Sequence, residues 1–516
     1  MAGKELEDQT KNLLEDEALS GDSSDDDLQE MGTGGSRKIF FQIYIFILTF
    51  FTYATLHISR ESWSFLKEKV KEKESPGIGL SSDDLGTIDM FFFFIYSIGI
   101  FISGILGDNL NKNLLIGCGY LITCAASIMI GLGGLWDIRS VWYYVGFFSL
   151  NGIGQSVGWP SVIAIMANWF PKKGRGFWFG VWAANPNVGN ILGTLICSLT
   201  NDQFGLEWSW TWIIVAIIVG VFGIINFIFM IEHPDKVGII IRDEQEEREA
   251  MLEQEQRPNT SEEENINLTQ RNGDSTIDGN QSPNNDGLDK AAPPNINFFR
   301  AWCVPGVIQY SICYLCLKLC NYGIMLWLPT YVSEELLFTP SQKALIAILY
   351  DIGTIIGSIS LGFLTDMLYG KRIPICYVSL LIATVFHSFL IFLGSSQKVL
   401  IFIVIFILGF FIGSISNMVA STACADIGKH ASIKGNESAL STVTGIVDGT
   451  GSLGAAAGQK GIGYIQDHAS WTAVFIMMTS FVFTSSIPIS CIFIREIKEI
   501  INLRRVAKQE KVKTIK

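Results

Sequence analysis

Two pieces of sequence with the same pattern decide the fold: Gly104-Ile-Leu-Gly-Asp108 ends one apolar run, and Gly362-Phe-Leu-Thr-Asp366 ends another 258 positions later. A second pair of landmarks keeps the same order, because Ser209-Trp210-Thr211 and Ser470-Trp471-Thr472 each open an apolar run, at an offset of 261. Matching landmarks at a nearly constant offset indicate an internal duplication. The sequence therefore predicts two related halves.

The apolar runs have the length and composition of membrane spans. Of the 516 residues, 49% are hydrophobic and 17% are charged, with a mean hydropathy of +0.35, whereas about a quarter of the residues of a soluble protein are charged. A spanning helix needs about 20 mainly apolar residues. We expect an all-α membrane protein with twelve transmembrane helices, six in each half. The twelve windows are 39–59, 87–107, 114–135, 141–165, 177–199, 211–231, 302–329, 343–365, 374–394, 399–421, 439–463 and 472–494.

Polar segments divide the chain into five parts. An acidic tail, 1–36, precedes the first six-helix half, 37–232; a linker, 233–298, rich in Glu, Asp, Asn, Gln and Pro, leads to the second half, 299–495; and a basic tail, 496–516, follows. The first tail and the linker cannot bury a core, so both are predicted to be disordered. They also carry most of the excess that gives a formal net charge of −12, which argues against a nucleic-acid partner.

The termini decide the predicted orientation. Lys and Arg in the short loops tie at eight on each side of the bundle, but Arg37 and Lys38 precede the first window and eight basic residues follow the last one. An even number of spans leaves both tails on one side of the membrane. The positive-inside rule therefore places both tails and the linker in the cytosol.

Two cations in or beside the apolar windows are the most informative residues. Arg60 lies at the end of the first window, and Lys318 lies 258 positions later, in the seventh. An unpaired cation in the hydrocarbon costs about 2.5–3.5 kcal/mol on insertion scales, so such a residue normally faces a cavity or a partner. The pair is predicted to mark a binding site between the halves.

Polar side chains accompany each cation at intervals of three or four residues, the spacing that places side chains on one face of a helix. Amides also flank a proline in the fifth window, where a kink can free donors for a ligand. The predicted substrate-binding residues are Tyr53, His57 and Arg60 in the first window, Tyr314, Lys318, Asn321 and Tyr322 in the seventh, and Asn185 and Asn187 in the fifth.

Other interpretations of these residues stay open. Arg60 lies near a predicted helix boundary, so its side chain could instead reach the lipid headgroups. Lys318 lies too deep for that, but it could form a permanent ion pair with Asp351 or Asp448. His57 fits a packing residue as well as a ligand contact, and the amides of the fifth window could instead bond neighbouring helices.

The remaining features receive structural interpretations. Asp108 and Asp366, which end the duplicated Gly-x-x-x-Asp segments, are predicted to act as conformational latches. Cys313, Cys316 and Cys320 have helical spacing, but no His or carboxylate joins them, so no metal site is predicted. We expect no cofactor and no enzymatic activity.

Several stretches carry a resemblance to a known family. They resemble the sugar phosphate exchangers, solute carrier family 37, which are organophosphate:phosphate antiporters of the major facilitator superfamily. The resemblance covers all twelve windows, fails in the tails and the linker, and is closest to the sugar phosphate exchanger 3 branch. The stretches are Tyr53-Ala-Thr-Leu-His-Ile-Ser-Arg60, Asn151-Gly-Ile-Gly-Gln-Ser-Val-Gly-Trp-Pro160, Cys303-Val-Pro-Gly-Val-Ile-Gln-Tyr310, Leu317-Lys318-Leu-Cys-Asn-Tyr322 and Thr442-Val-Thr-Gly-Ile-Val-Asp-Gly-Thr-Gly-Ser452.

The resemblance implies exchange of a sugar phosphate for inorganic phosphate across the endoplasmic reticulum membrane, with a lysosomal or other endomembrane as the alternative. It also implies that Arg60 and Lys318 contact the phosphate. The chain departs from the family at two places: Glu61 follows the arginine where lysine is usual, and Asn185-Pro186 stands where several relatives have a histidine. Both departures remove positive charge near the site and leave the identity of the phosphate ester open.

Simple electrostatics also favours exchange. Arg60 and Lys318 would repel each other across a low-dielectric cavity, and a phosphate with about −1.5 to −2 charges would bridge them and let the halves close. Two rivals stay open. One is a proton-coupled exporter of another organic anion that uses His57 and a buried Asp, and the other is a non-transporting scaffold on a facilitator fold.

The predicted orientation can be tested through glycosylation. The Asn-x-Ser/Thr sequons at Asn259, Asn267, Asn280 and Asn436 lie in segments predicted to be cytosolic, so we expect them to carry no N-glycan. Treatment of the expressed protein with a glycosidase should leave its gel mobility unchanged. A mobility shift that disappears when the three linker asparagines are mutated would invert the topology.

Overall fold

The computed structural model describes residues 2–106, 111–170, 175–239, 298–420 and 437–515, and within these ranges it contains helices and no strand. Short helical turns of other types cover Ser198–Gln203 and Gly409–Gly413 (π) and Pro234–Val237 and Ser395–Gln397 (3₁₀). The α-helices are α1 (Ala2–Lys71), α2 (Ser82–Leu106), α3 (Lys112–Leu135), α4 (Val141–Ser156), α5 (Gly158–Trp169), α6 (Arg175–Trp182), α7 (Asn185–Cys197), α8 (Trp208–Phe229), α9 (Phe298–Ala301), α10 (Val307–Glu334), α11 (Pro340–Met367), α12 (Ile373–Phe389), α13 (Lys398–Leu408), α14 (Ser414–Met418), α15 (Glu437–His468), α16 (Trp471–Ser486) and α17 (Ser490–Ile515).

Each of the twelve predicted windows falls on a helix or on a run of short helices. In the described part of the chain, seven helices are long and apolar enough to cross a membrane, and α16 with α17, bent by 45°, makes an eighth. The fifth window is divided into α6 and α7 because Pro186 lies in the first turn of α7, where its missing N–H costs no hydrogen bond. The fourth is divided at Val157, shortly before Pro160.

The start of the chain differs from the prediction. Helix α1 begins at Ala2, although the sequence predicts a disordered tail over residues 1–36; the apolar part of the helix runs over Ser36–Lys71. The tail contains no proline and several Glu, Leu and Lys residues, so local propensity permits a helix there. Helix α17 extends through most of the segment predicted to be a basic tail, for which no disorder was predicted. The predicted linker lies largely outside the described residues, as do Asp108 and the four sequons.

The duplicated landmarks open equivalent helices in the two halves. Helix α8 begins at Trp208 and α16 begins at Trp471, where the Ser470 hydroxyl accepts a hydrogen bond from the Ala473 N–H. Across the seam between the halves, α2 packs against α15, α1 against α10, and α7 against α11. The cations of the two duplicated helices, α1 and α10, are thereby brought to the seam.

The α2–α15 contact depends on close backbone approach. A Cβ at Gly86 would lie 2.6 Å from the Gln459 carbonyl oxygen, and one at Gly463 would lie 2.2 Å from the Ser82 carbonyl oxygen. Only residues without a side chain fit at these two points, because real Cβ atoms do not approach an oxygen so closely. The tightest part of the seam is therefore set by two glycines.

Ion pairs join the halves at the end of the bundle where α1 finishes. Glu68 of α1 lies 3.1 Å from Lys343 of α11, and Lys71 lies 2.7 Å from Glu334 of α10. The Lys460 ammonium of α15 is paired with Asp83 at the start of α2. These contacts hold the two halves together at the end opposite the start of the first span.

A matched pair of glycine substitutions tests this packing. Gly463→Ala places a methyl group against the Ser82 carbonyl and should destabilise the protein by about 1–3 kcal/mol through overpacking. Gly362→Ala is the control, because no atom lies within 4 Å of the added Cβ. Thermal unfolding of both purified variants in detergent should show a lowered midpoint for the first alone; equal midpoints would refute the close α2–α15 contact.

Candidate functional site

A polar cavity lies between the halves at the level of the two cations. The space free of atoms within it, including the part open to solvent, is about 730 Å³. Its walls come from both halves, and most of the side chains that line it are polar or aromatic. They include Tyr53, His57, Tyr96, Asn187 and Asn190 from the first half and Tyr314, Lys318, Asn321, Tyr322, Tyr350, Asp351, Asn417 and Asp448 from the second.

Arg60 is buried inside the bundle, with 4% of its surface exposed. Its Nε donates to Gln155 Oε1 (2.8 Å), its Nη1 donates across the seam to Tyr322 Oη (3.1 Å), and its Nη2 has no partner. Among the described residues, no carboxylate forms an ion pair with this guanidinium. A side chain enclosed in this way does not reach the headgroups. The structure therefore favours the cavity interpretation of Arg60.

Aromatic rings and a relay of amides hold the guanidinium in place. Its Cζ lies 4.7 Å from the centre of the Tyr96 ring and 5.6 Å from that of Phe92, within the range of cation–π attraction. Gln155 is itself fixed, because its Nε2 donates to Asn151 Oδ1 (2.7 Å). Rings and neutral amides orient the charge without neutralising it.

Lys318 has a different environment. Its Nζ lies 2.7 Å from Asp448 Oδ1 and 2.8 Å from Ser452 Oγ on α15. It also lies 5.2 Å from the centre of the Tyr314 ring and 5.5 Å from that of Tyr322. The ion-pair interpretation of Lys318 thus matches the geometry, and the expectation of two bare, mutually repelling cations is wrong. Asp448 lies 130 residues along the chain, so only the packing of α10 on α15 brings it to the lysine.

Tyr322 connects the two cations. Its hydroxyl accepts from Arg60, while the face of its ring is directed toward the Lys318 ammonium. Both basic groups therefore converge on one tyrosine, at the seam between α1 and α10. The convergence of the two duplicated polar stripes, predicted from the sequence, is seen here.

A second polar chain crosses the cavity to α11. His57 Nδ1 lies 3.1 Å from Asn190 Oδ1, and Asn190 Nδ2 donates to Asp351 Oδ1 (2.9 Å). Asn187 Nδ2 donates to the same oxygen (2.8 Å). Since Asn190 Oδ1 can only accept, the histidine donates from Nδ1. The amides of α7 thus bond the neighbouring helix, as one of the open interpretations held, while Asn187 and Asn190 also line the cavity.

The predicted residues divide into three groups. Seven line the cavity: Tyr53, His57, Asn187, Tyr314, Lys318, Asn321 and Tyr322. Arg60 borders a smaller adjoining pocket and reaches the cavity through Tyr322. Asn185 is not among the cavity residues, because its Nδ2 donates to the Trp182 carbonyl (2.7 Å) at the break between α6 and α7.

Of the two predicted latches, Asp108 lies outside the described residues and Asp366 is exposed near the end of α11. Glu61, one of the two departures from the family pattern, turns to α7 and not to the cavity. It lies 3.5 Å from the Thr194 hydroxyl, and no basic residue of the described chain pairs with it. Neither Asp366 nor Glu61 lines the cavity.

Several site residues were absent from the predicted substrate-binding set, among them Asn190, Gln155 and Tyr96. Asn190 follows Asn187 by three residues, so helical spacing could have identified it. Gln155 lies within one of the family-like stretches. Tyr96 stands in an aromatic run of α2, and no sequence signal separates it from its neighbours.

Comparison with known proteins agrees with this geometry. The sequence model described as Major Facilitator Superfamily matches residues 39–435 and 310–515. The chain is 37% identical to the sugar phosphate exchanger 3 of Mus musculus, over 89% of this chain and 94% of that protein. It is 36% identical to the human protein of that name, over 90% and 95% of the two chains. It is 32% identical to the glucose-6-phosphate exchanger SLC37A2 of Mus musculus, over 86% and 90%.

Among solved structures, a bacterial homologue of the human lysosomal transporter Spinster, in an inward-facing and unoccupied conformation, has the same fold. Its TM-score is 0.55 at 15% identity, covering 88% of this chain and 95% of that one. The two helical halves and the polar cavity between them thus define a membrane transporter of the Major Facilitator Superfamily. The chain belongs to the sugar phosphate exchanger family.

Paired substitutions test the Lys318–Asp448 contact. Lys318→Ala leaves a buried acid without its partner and should destabilise the protein by about 3–5 kcal/mol, whereas Lys318→Ala with Asp448→Ala should cost clearly less. Thermal unfolding in detergent, run as a double-mutant cycle, measures the difference. Additive effects of the two single substitutions would contradict a tight ion pair.

Proposed function

We propose that this chain exchanges a sugar phosphate for inorganic phosphate by alternating access, with Arg60 as the principal phosphate contact. One observation carries the proposal: a buried guanidinium with an unpartnered Nη2 and no carboxylate partner in the described chain lies at the seam between the halves. A phosphate oxygen is the acceptor that such a group binds most strongly, because both partners are charged.

The environment of Arg60 explains why exchange is favoured over net transport. A buried cation without a counter-ion is costly in a low-dielectric site. A phosphate dianion offsets that cost, so the halves close most readily around a loaded site. Inorganic phosphate and a phosphate ester both supply the dianion. The empty carrier should therefore cross slowly, which is the requirement for obligate exchange.

Lys318 supplies the second contact. In the empty cavity it is held by Asp448 and Ser452 at the wall formed by α15. A phosphate bound to Arg60 adds a second anion near Tyr322, toward which the lysine also points. The ligand and Asp448 thus both contact Lys318. This competition lowers the affinity for phosphate and allows its release.

Closure at one end of the bundle is already present. The ion pairs of Glu68 with Lys343 and of Lys71 with Glu334 join the halves there. Alternating access requires these contacts to separate when the cavity opens to that side. Both side chains of the Lys71–Glu334 pair are partly exposed, so water can replace that contact at a modest cost, whereas Lys343 is buried and its separation from Glu68 costs more.

The names of the relatives support sugar phosphate as the organic substrate, and we assign the protein to the endoplasmic reticulum membrane on the family resemblance. A proton-coupled exporter of another organic anion is the rival, favoured by the chain of hydrogen bonds from His57 through Asn190 to Asp351. Transport that depends steeply on pH and needs no phosphate on the far side would select the rival.

Substitution of the cations tests the proposed phosphate site. Arg60→Ala should lower phosphate–phosphate exchange in liposomes by roughly a hundredfold or more, because a charge-assisted contact to a desolvated dianion is lost. Arg60→Lys should remain poor, since lysine lacks the two-pronged contact, whereas Lys318→Arg should keep partial activity.

The matched control is Arg139→Ala, which removes an exposed arginine from the loop between α3 and α4. It should exchange phosphate at the normal rate. Rates are expressed per folded molecule, so that a loss of protein is not mistaken for a loss of transport. Near-normal exchange by Arg60→Ala would refute the site.

A further inference from the structure

One acid of the cavity has no role in the phosphate contact. Asp351 is 3% exposed, and its Oδ1 accepts from both Asn187 and Asn190. Within the described ranges, no Lys, Arg or His forms an ion pair with it, and no hydrogen bond to its Oδ2 is found. A carboxylate without a counter-ion, with one acceptor oxygen unused, therefore lines the space that the ligand occupies.

The position of Asp351 separates it from the cations. Arg60 and Lys318 converge where α1 meets α10 and α15, whereas Asp351 lies where α7 meets α11. Between them, Tyr350 Oη donates to Asn321 Oδ1 (2.6 Å), which links the two sides of the cavity. The cavity thus has a cationic end at Arg60 and Lys318 and an acidic end at Asp351. A ligand with one anionic group should bind with that group at the cationic end.

We propose that Asp351, held by Asn187 and Asn190, is a specificity subsite for the end of the ligand remote from its phosphate. The subsite accepts hydrogen-bond donors and rejects a second negative charge. This inference rests on the proposed exchange of phosphate esters and narrows their class. The ligand is a phosphate monoester whose other end is a neutral polyol or carries an ammonium group, not a carboxylated ester or a bisphosphate.

Two physical effects give the subsite its selectivity. A carboxylate accepts hydrogen bonds from hydroxyl or ammonium groups more strongly than a neutral acceptor does. In its ionised form it also repels an anionic group a few ångströms away, and in a partly desolvated cavity that repulsion corresponds to roughly a tenfold to hundredfold loss of affinity. The amide pair of α7 keeps the carboxylate in place and adds no positive charge that would cancel the repulsion.

Competition binding on the full-length protein tests the proposal. Radiolabelled inorganic phosphate, bound to the purified protein in lipid nanodiscs, is displaced by a hexose monophosphate, an aminohexose monophosphate or phosphoglycerate. We expect phosphoglycerate to require at least a tenfold higher concentration than the hexose phosphate. An aminohexose phosphate that binds more tightly than the hexose phosphate identifies an ammonium ligand, and equal binding identifies hydroxyl donors; both results support the subsite.

In Asp351→Asn, phosphoglycerate and hexose phosphate should displace the labelled phosphate at nearly equal concentrations. The matched control, Asp448→Asn, removes the same charge from the phosphate end of the same cavity. It should shift the affinities of all three esters together and leave their ratio unchanged. If Asp351→Asn is not recovered as folded protein, Asp351→Ser removes the charge with a smaller side chain.

Two results would overturn the subsite: an unchanged ratio in a folded, neutral Asp351 variant, or wild-type protein that binds phosphoglycerate as tightly as hexose phosphate. The second needs no variant. If the wild-type protein prefers hexose phosphate to phosphoglycerate in binding but shows no exchange in liposomes, the antiport mechanism is refuted and the subsite is still supported. Failure of the wild-type protein to bind phosphate at all would refute the proposed function, and the subsite with it.

Discussion

The buried guanidinium of Arg60 is the constraint on which the rest of the site depends. Desolvation of a cation is tolerated only where nearby groups orient it, and here a glutamine, a tyrosine hydroxyl and two aromatic rings do so without neutralising it. The bundle therefore holds a positive charge that no acid of the described chain pairs with, and the proposed phosphate would compensate it. That single feature connects the packing of α1 to the proposed chemistry of exchange.

Lys318, Asp448 and Asp351 are the three other charged residues of the cavity, and their proposed roles depend on where they lie relative to Arg60. Lys318 is compensated by Asp448, so it can contribute to anion binding without adding a second bare charge to the empty state. Asp351, by contrast, has no counter-ion in the described chain and stands on the other side of the cavity. The resulting separation of charge gives the site a direction.

The seam between the halves combines two kinds of contact with different consequences. Close backbone approach at Gly86 and Gly463 is intolerant of added volume and fixes how α2 and α15 cross. The ion pair of Lys71 with Glu334 at the end of α1 is partly exposed and can exchange with water. The two kinds of contact lie at the same end of the bundle, because Asp83, next to Ser82, pairs with Lys460, next to Gln459. Opening of the proposed carrier at that end therefore has to separate both.

The sequence by itself determined the class of protein, the duplication and the two helices that carry the cations. Hydropathy and the 258-residue offset are one-dimensional signals, and helical spacing is enough to place Tyr53, His57 and Arg60 on one face. The family-like stretches further indicated the chemistry of the ligand.

Tertiary structure alone decided which charges meet. The pairing of Lys318 with Asp448 and the turning of Glu61 toward α7 depend on contacts between segments more than a hundred residues apart. The lack, among the described residues, of an acid paired with Arg60 is likewise a result of how the helices pack. Asn185 and Asn187 are two positions apart, and the sequence does not distinguish their roles. Asn185 donates to the Trp182 carbonyl at the break between α6 and α7, whereas Asn187 donates to Asp351 in the cavity. Periodicity along a helix shows which side chains share a face, but the partner of that face is set by how the helices pack.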